Sequence, residues 1–394
     1  MRGNPGTSRS IPVRILNDTK VRGILIQVAI AAVVVLALVW FGENIRTNLS
    51  TRGITTGFEF LERAARFPIA QSILAYSPTD SFAWACLVGL GNTLYLSLLI
   101  GATSTVLGLM VAIARRSTNP LAAAMATTFV ETLRNTPLVV QLLFWYALVT
   151  LGLPHSSSAL EPLPGVFLTD RGLFFPAVRV SGDTVLFNAT VLAGLAAVVL
   201  AGIHSRRQRS QVVHRARRVW AVILVAIAVT AFVGWMTDFG LALERPQLRR
   251  FNFLGGHVLT PEFVAIFVGL VLYSTAFAGE IIRGGIDAIS IGQWEAARAV
   301  GLSERQILKL VILPQALRVI IPPMTSQYIT IIRNTTLAVV VGYPDIAVVI
   351  STMINQTGQA VEGILILAAV FVTISAGSSF LMNWYNRRIA LVQR

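Results

Sequence analysis

The stretch Gly292-Gln293-Trp294-Glu295-Ala296-Ala297-Arg298-Ala299-Val300-Gly301, closed by Val311-Ile312-Leu313-Pro314-Gln315-Ala316, decides how the chain is read. It is polar, and it lies between two long apolar runs. A short helix carrying a carboxylate, a glycine turn and a second amphipathic segment ended by proline build a rigid knuckle on one membrane face. Gly301 lets the backbone turn at a positive φ. Leu302, Ile307, Leu310 and Val311 recur at helical spacing and give one apolar face, of the kind that fills a cleft on another protein. Glu-Ala-Ala alone is a weak signal. The glycine six positions after Glu295, the Leu-Pro twelve positions later and the setting between two spans make it specific.

The runs on either side belong to a chain that is 55% hydrophobic and 13% charged over 394 residues, too apolar for a soluble domain of that length. A bilayer core takes about 20 apolar residues per helix. Such runs fall near 24–41, 85–113, 121–151, 184–203, 219–236, 261–282, 317–343 and 362–384. The expectation is an all-α polytopic membrane protein with about eight transmembrane helices. The first run, Ile24 to Phe41, follows a basic leader and has no small-residue cleavage site before Glu43-Asn44, which reads as a retained helix rather than a signal peptide.

The formal charge of +14 raises nucleic acid as a partner, but its distribution argues for topology. With the N-terminus inside, the inner segments hold 21 Lys or Arg: five before residue 23, Arg115 and Arg116, six between 204 and 218, five between 283 and 318, and three at the C-terminus. The outer segments hold nine. This positive-inside asymmetry places both termini and the 283–316 loop in the cytoplasm, and no nucleic-acid partner is expected. Cys86 is the only cysteine, which excludes an internal disulfide and a Cys-based metal site. His155, His204, His214 and His257 are scattered over different loops without ligand spacing, so no metal site is assigned.

Along the chain, residues 1–84 form a cytoplasmic leader, a first span and an outer loop. Phe58, Leu61, Ala65 and Phe67 give that loop amphipathic spacing, so it lies on the outer membrane surface or packs on the helices. Residues 85–152 and 261–394 are dense in glycine, proline and polar residues. Between them, 153–260 hold an outer loop with Pro154, Pro162, Pro164 and Pro176, which argue against a continuing helix, and a two-helix hairpin around an Arg-rich inner turn. That hairpin carries no interior ionisable residue and reads as lipid-facing support.

The two dense blocks share an echo. Arg134-Asn135-Thr136-Pro137-Leu138-Val139-Val140 and Arg333-Asn334-Thr335-Thr336-Leu337-Ala338-Val339 agree at five of seven positions. Asn and Thr are common helix caps, so shared helix-start chemistry explains the echo blandly. The sharper reading is a pair of interrupted helices that expose helix ends to a polar substrate. Four carboxylates stand at membrane depth or its edge. Glu262 and Glu362 sit at outer span ends, where interfacial solvation accounts for them. Glu131 can pair with Arg134, one turn away. Glu280 and Arg283 share that spacing, as a structural ion pair or as a substrate contact. Arg333 lies inside an expected span among Ile331, Ile332 and Leu337. Thr136, Gln141, Ser274, Glu280, Arg333, Asn334 and Thr335 are therefore the candidate substrate-pathway residues.

Enzyme signatures are missing from the sequence: there is no Gly-x-Ser-x-Gly, His-Glu-x-x-His or dinucleotide fingerprint. A P-loop needs a Gly-Lys-Ser or Gly-Lys-Thr whose lysine reaches the phosphates. The only lysines are Lys20, in Thr-Lys-Val, and Lys309, in Leu-Lys-Leu. Nucleotide chemistry, if any, belongs to another subunit.

Over about 85–152 and 261–390 the chain resembles the polar amino-acid permeases of type I ABC importers. The carriers are Thr93-Leu94-x-x-Ser97, the Arg134–Gln141 segment, Ala278-Gly279-Glu280-Ile281-Ile282-Arg283-Gly284-Gly285-Ile286, the run from Gly292 to Ala316, and Arg333-Asn334-Thr335-Thr336-Leu337. The run from 292 is similar to the EAA loop through which such permeases grip a separate ATPase. The resemblance implies a permease core with extra helices, and Glu295, Ala296, Ala297, Gly301, Leu313 and Pro314 as ATPase-coupling residues. It also implies a second related permease as heterodimer partner, two ATPase subunits that carry the ATP and Mg, and a periplasmic amino-acid-binding protein. No cofactor would be bound by this chain, and the setting would be a bacterial inner membrane with its lipid. The insertion is similar to that of Q-type subunits of general L-amino-acid transporters. The chain departs from relatives at Arg333-Asn334-Thr335-Thr336, where they carry Lys-Asp or Lys-Asn before Thr-Ser, so substrate-contact roles do not transfer to Asn334. Two other readings compete: an ion-driven secondary transporter or channel using Glu280 or Arg333 as a relay, and a non-transporting scaffold for a signalling ATPase.

Overall fold

The computed structural model describes residues 19–51, 57–181, 184–207, 212–236, 240–249 and 252–389. The basic leader, Arg52, Arg209, Arg250 and the C-terminal Arg394 lie outside the described residues. Every apolar run expected from the sequence is helical. α1 is Thr19–Thr51, α2 Phe82–Arg115, α3 Pro120–Asn135, α4 Leu138–Gly152, α5 Thr184–Arg207 and α6 Val212–Met236. After these come α7 Pro261–Asp287, α8 Ile291–Ala299, α9 Leu313–Asn334, α10 Ile346–Thr357 and α11 Ala360–Ile389.

Of the about eight spans expected, five or six are seen by length and composition among the described residues. Five described helical segments are long and apolar enough to cross a bilayer: Arg22–Ile45, Phe82–Arg115, Pro261–Asp287, Glu304–Val340 and Ala360–Phe380. A sixth would be the pair α3 and α4, which is bent by 105°. In the hairpin the described apolar stretches are Asn188–Ile203 and Trp220–Met236, shorter than the others. The run expected at 121–151 is broken because Pro137 has no N–H to continue a ladder, and it stands as the N-cap of α4.

The loops expected on the outer side are not irregular. β1 Leu160–Leu163, β2 Val166–Thr169, β3 Gly172–Phe175 and β8 His257–Leu259 form one antiparallel sheet in that order. β4 Ala177–Ser181 pairs with β5 Gly240–Glu244, and β6 Gln247–Arg249 with β7 Asn252–Leu254. The β4–β5 ladder joins the two ends of the insertion that carries α5 and α6.

The chain forms two compact units. Among the described residues, one comprises those up to 93 with 344–388, the other those from 94 to 343. The first is built around Phe60, Phe67, Phe82, Ile346, Val349, Ile350 and Met353. The loop before Phe82, expected on the outer side, packs on the helices, the second of the two placements expected. Phe60, not Phe58, is the buried ring, since Phe60 heads a 3-10 turn and meets Phe82 edge-on at 6.0 Å. Thr93 and Asn92 brace this unit, with Asn92 donating to the carbonyls of Gln71 and Pro344 and Thr93 accepting from the Ile346 amide. Glu362 departs from its expected interfacial solvation: it is buried and accepts from the Gly57 amide at 2.9 Å.

In the second unit α7 is the central helix, with α3, α4 and α9 packed against it. Its glycines and alanines let neighbours approach closely. A Cβ added to Gly269 would stand 2.7 Å from Leu142, one at Gly285 would stand 2.2 Å from Ile320, and one at Gly279 would meet Val111 at 3.1 Å.

Candidate functional site

The knuckle between α7 and α9 is made by local chemistry that can be followed residue by residue. α8 ends in a two-bond turn. The Leu302 amide donates to the Ala297 carbonyl, and the Gly301 amide donates to the Arg298 carbonyl. This pairing requires a left-handed residue after the cap, and Gly301 supplies it with φ 80°. Ala297 and Leu302 both enter the small core of the knuckle, with Ile307, Ile312 and Trp294. The second alanine is thus small because it is buried beneath the turn, whereas Glu295 and Ala296 face outward.

The chain then restarts at once. Ser303 and Gln306 form a reciprocal capping box, and Arg298 bridges the turn to Glu304 at 2.8 Å. That hydrogen bond raises the guanidinium pKa above its ordinary value, so Arg298 stays charged. Both side chains are more than half exposed, and the bridge adds little stability.

Two expectations for this segment are corrected. Leu310 was expected to share one partner-facing apolar face with Leu302, Ile307 and Val311, but it is 61% exposed while Ile307 is fully buried, because Ile307–Ile312 is a π-helix. Its wider i→i+5 turn rotates the following side chains away from α-helical spacing. Pro314 does not end the segment. It occupies the first turn of α9, where a missing N–H is harmless, so the helical run continues from Glu304 into the span. Leu313 and Pro314 are both exposed there. Gln315 ties this start of α9 back to α8 through Gln293 at 3.1 Å.

The two echoed segments occupy helix breaks within the second unit, but of different kinds. Arg134 and Asn135 end α3, Thr136 is its C-cap, and the chain turns into α4. Gln141 holds this bend, its amide donating to the carbonyls of Leu133 at 2.9 Å and Thr136 at 3.0 Å. Arg333 and Asn334 end α9, and Thr335 opens the 3-10 turn Thr335–Val340. The Thr136 hydroxyl donates to the Thr132 carbonyl, and the fully buried Thr335 hydroxyl to that of Ile332. Both threonines therefore end helices, and only the first echo also begins one. Arg333, expected inside a span, is exposed. Arg134 lies 5.2 Å from the Phe277 ring centroid rather than against Glu131.

Several buried polar atoms of this unit lack a hydrogen-bond partner among the described residues: Gln141 Oε1 on α4, Ser274 Oγ and Thr275 Oγ1 on α7, and Gln327 Nε2 on α9. Ser274 and Gln141 were candidates from the sequence, whereas Thr275 and Gln327 were missed. Their only signal was a polar letter inside an apolar span. Glu280 is committed to ion pairing, with Arg283 at 2.5 Å and with Arg115.

Long apolar helices with an exposed, capped knuckle between two of them define a polytopic membrane protein. Comparison with known proteins agrees. Residues 104–391 match the family model for the binding-protein-dependent transport system inner membrane component, and the chain belongs to that family. It is an ABC permease subunit of a multi-pass membrane type and not an enzyme.

Among its relatives, the chain is 42% identical over 95% of both chains to a protein of Escherichia coli named as an amino-acid ABC transporter permease, YhdX. It is 36% identical to the general L-amino acid transport system permease protein AapQ of Rhizobium johnstonii, over 96% of this chain and 94% of that one. It is 33% identical, over 96% of both, to the glutamate/glutamine/aspartate/asparagine transport system permease protein BztB of Rhodobacter capsulatus.

Proposed function

We propose that this chain is a membrane subunit of an ATP-driven amino-acid importer. It would receive L-amino acids from an extracytoplasmic binding protein and pass them inward by alternating access. What carries the reading is the knuckle of α8 and its Gly301 turn in a chain similar along 95% of its length to a protein named as an amino-acid permease. The exposed Glu295 edge of α8 would seat in a cleft of a separate ATPase, whose nucleotide and Mg this chain has no motif to bind. A second, related permease would complete the pathway. Both termini would face the cytoplasm, in keeping with the excess of inner Lys and Arg.

The bend at Thr136–Pro137 and the orphaned polar atoms of Gln141, Ser274, Thr275 and Gln327 support a polar lining on α4, α7 and α9. A buried polar group without a partner costs about 1–3 kcal/mol, so these positions favour an occupant that can hydrogen-bond. The test is reconstitution with a second permease, an ATPase and a binding protein in proteoliposomes, followed by uptake of labelled amino acids. Uptake that requires ATP inside the ATPase-bearing compartment is expected. Uptake driven by an ion gradient without the ATPase would overturn the reading.

A further inference from the structure

The inner ends of α2 and α7 carry a cluster that the docking role does not use. Glu280, Arg283 and Asp287 fall three and four residues apart on one face of α7. Arg283 bonds Glu280 at 2.5 Å and Asp287 at 2.8 Å. From the last turn of α2, Arg115 reaches Glu280, and from the next residue Arg116 reaches Asp287. All four carboxylate oxygens are ion-paired with an arginine. The result is a chain of alternating charge, Arg115–Glu280–Arg283–Asp287–Arg116, closed into a ring by the Arg115–Arg116 backbone. Arg115, in the last turn of α2, also sits where a helix C-terminus favours a cation.

Farther into the membrane the same two helices touch at glycines. A Cβ on Gly108 would stand 2.8 Å from the Ala278 side chain and 2.9 Å from the Gly279 amide. The helices are therefore fixed in distance by glycine contact and in register by the ring. Below the ring α7 leads almost directly into the knuckle. The Ala288 amide still bonds to Gly284, the Ile289 amide to Ile286, and α8 opens at Ile291.

We propose that Arg115, Arg116, Glu280, Arg283 and Asp287 are positioning residues, a clamp that delivers movement of the coupling knuckle to α2. Two contacts made by adjacent residues at the end of α2 resist both sliding and rotation, which a single ion pair would not. Side-chain exposure rises from 15% at Arg115 to 40% at Asp287. The outer pair therefore keeps contact with water and is formed without full desolvation of its charges. The inference rests on the importer reading, and its experiment separates the two.

In the reconstituted complex, Arg116→Gln and Asp287→Asn are expected to lower amino-acid uptake per ATP hydrolysed about tenfold. Basal ATPase activity should stay within about twofold and the half-saturating amino-acid concentration should not change. The double variant should fall no further than Asp287→Asn alone, since Arg116 joins the cluster only through Asp287. Arg116→Lys should recover to within about threefold. Independently of what is carried, Leu109→Cys in a Cys86→Ser background should change its maleimide labelling rate when the ATPase is trapped with vanadate, and Arg116→Gln should abolish that change.

Wild-type uptake per ATP in both single variants would overturn the clamp. So would a parallel loss of basal ATPase and uptake in which Arg116→Lys is equally impaired. If Asp287→Asn does not assemble, Arg116→Gln alone decides through the labelling rate. A complex that carries no amino acid but keeps the clamp-dependent labelling change would overturn the importer reading and leave the clamp standing.

Discussion

Two helix pairs in this protein are built on the same close approach of small residues and differ in nearly everything else. In the pair α2 and α7, Gly108 faces Ala278 and Gly279. In the hairpin α5 and α6, Gly194 faces Ala226, with an added Cβ at 3.2 Å. The first pair buries Ser274, Thr275 and Ala278 and ends in a ring of five charged residues. The hairpin exposes Leu192, Val199, Leu224 and Trp235, each more than half accessible. Its Thr230 hydroxyl bonds only to Ala226 of its own helix. Small residues let helices meet in either setting. Polar groups held between helices, which are costly in hydrocarbon, mark the pair that has to work.

The sharpest way to break this comparison is to overfill both contacts. Gly108→Val forces side-chain carbons toward the Gly279 backbone, which cannot yield as a flexible side chain would. Overpacking of this kind costs about 1–3 kcal/mol or more, and we expect a fall in the detergent melting temperature together with loss of uptake. Gly194→Val in the hairpin should leave uptake within about threefold. Equal damage at both sites would erase the distinction.

A smaller effect is expected at Gly301→Val. Nothing lies within 4 Å of the added Cβ, so the penalty is the left-handed backbone alone. That strain is of order 1–3 kcal/mol, and each 1.4 kcal/mol corresponds to about tenfold. Uptake should drop about tenfold while the protein still reaches the membrane, and a wild-type ATP-dependent rate would refute the turn's role. Gln141→Leu removes both bonds that hold the α3–α4 bend, and a melting curve should register a loss of about 1–3 kcal/mol. The least change belongs to the hairpin interior. Single cysteines between Trp220 and Met236 should show no water accessibility that substrate protects, and a protected position there would move the hairpin into the pathway.

Much of this was legible in the letters. Gly301 six residues after Glu295 announced a left-handed turn, because a helix that ends in this two-bond motif needs such a residue. Ser303 and Gln306 at capping-box spacing were equally plain and were overlooked. The strands were available too: Val166-Phe-Leu-Thr and Gly172-Leu-Phe-Phe flank Asp170-Arg171 as a short hairpin does, but the nearby prolines drew the reading toward irregular loop. Other features lay beyond local pattern. The π-turn at Ile307–Ile312 breaks the very periodicity used to place Leu310. Arg115 and Glu280 are 165 positions apart, and a pair so distant leaves no trace in spacing.

The ladder between β4 and β5 carries one more consequence. Ala177 stands opposite Glu244 and Ser181 opposite Gly240, so the chain leaves for the hairpin and comes back at neighbouring points of one two-stranded ribbon. For the path of the remaining chain, the two helices of 24 and 25 residues amount to a long bulge in a β-turn. The ribbon acts as a splice junction. A short turn joining its two strands would restore a continuous chain, and a different helical pair could be set into the same socket without redrawing the rest.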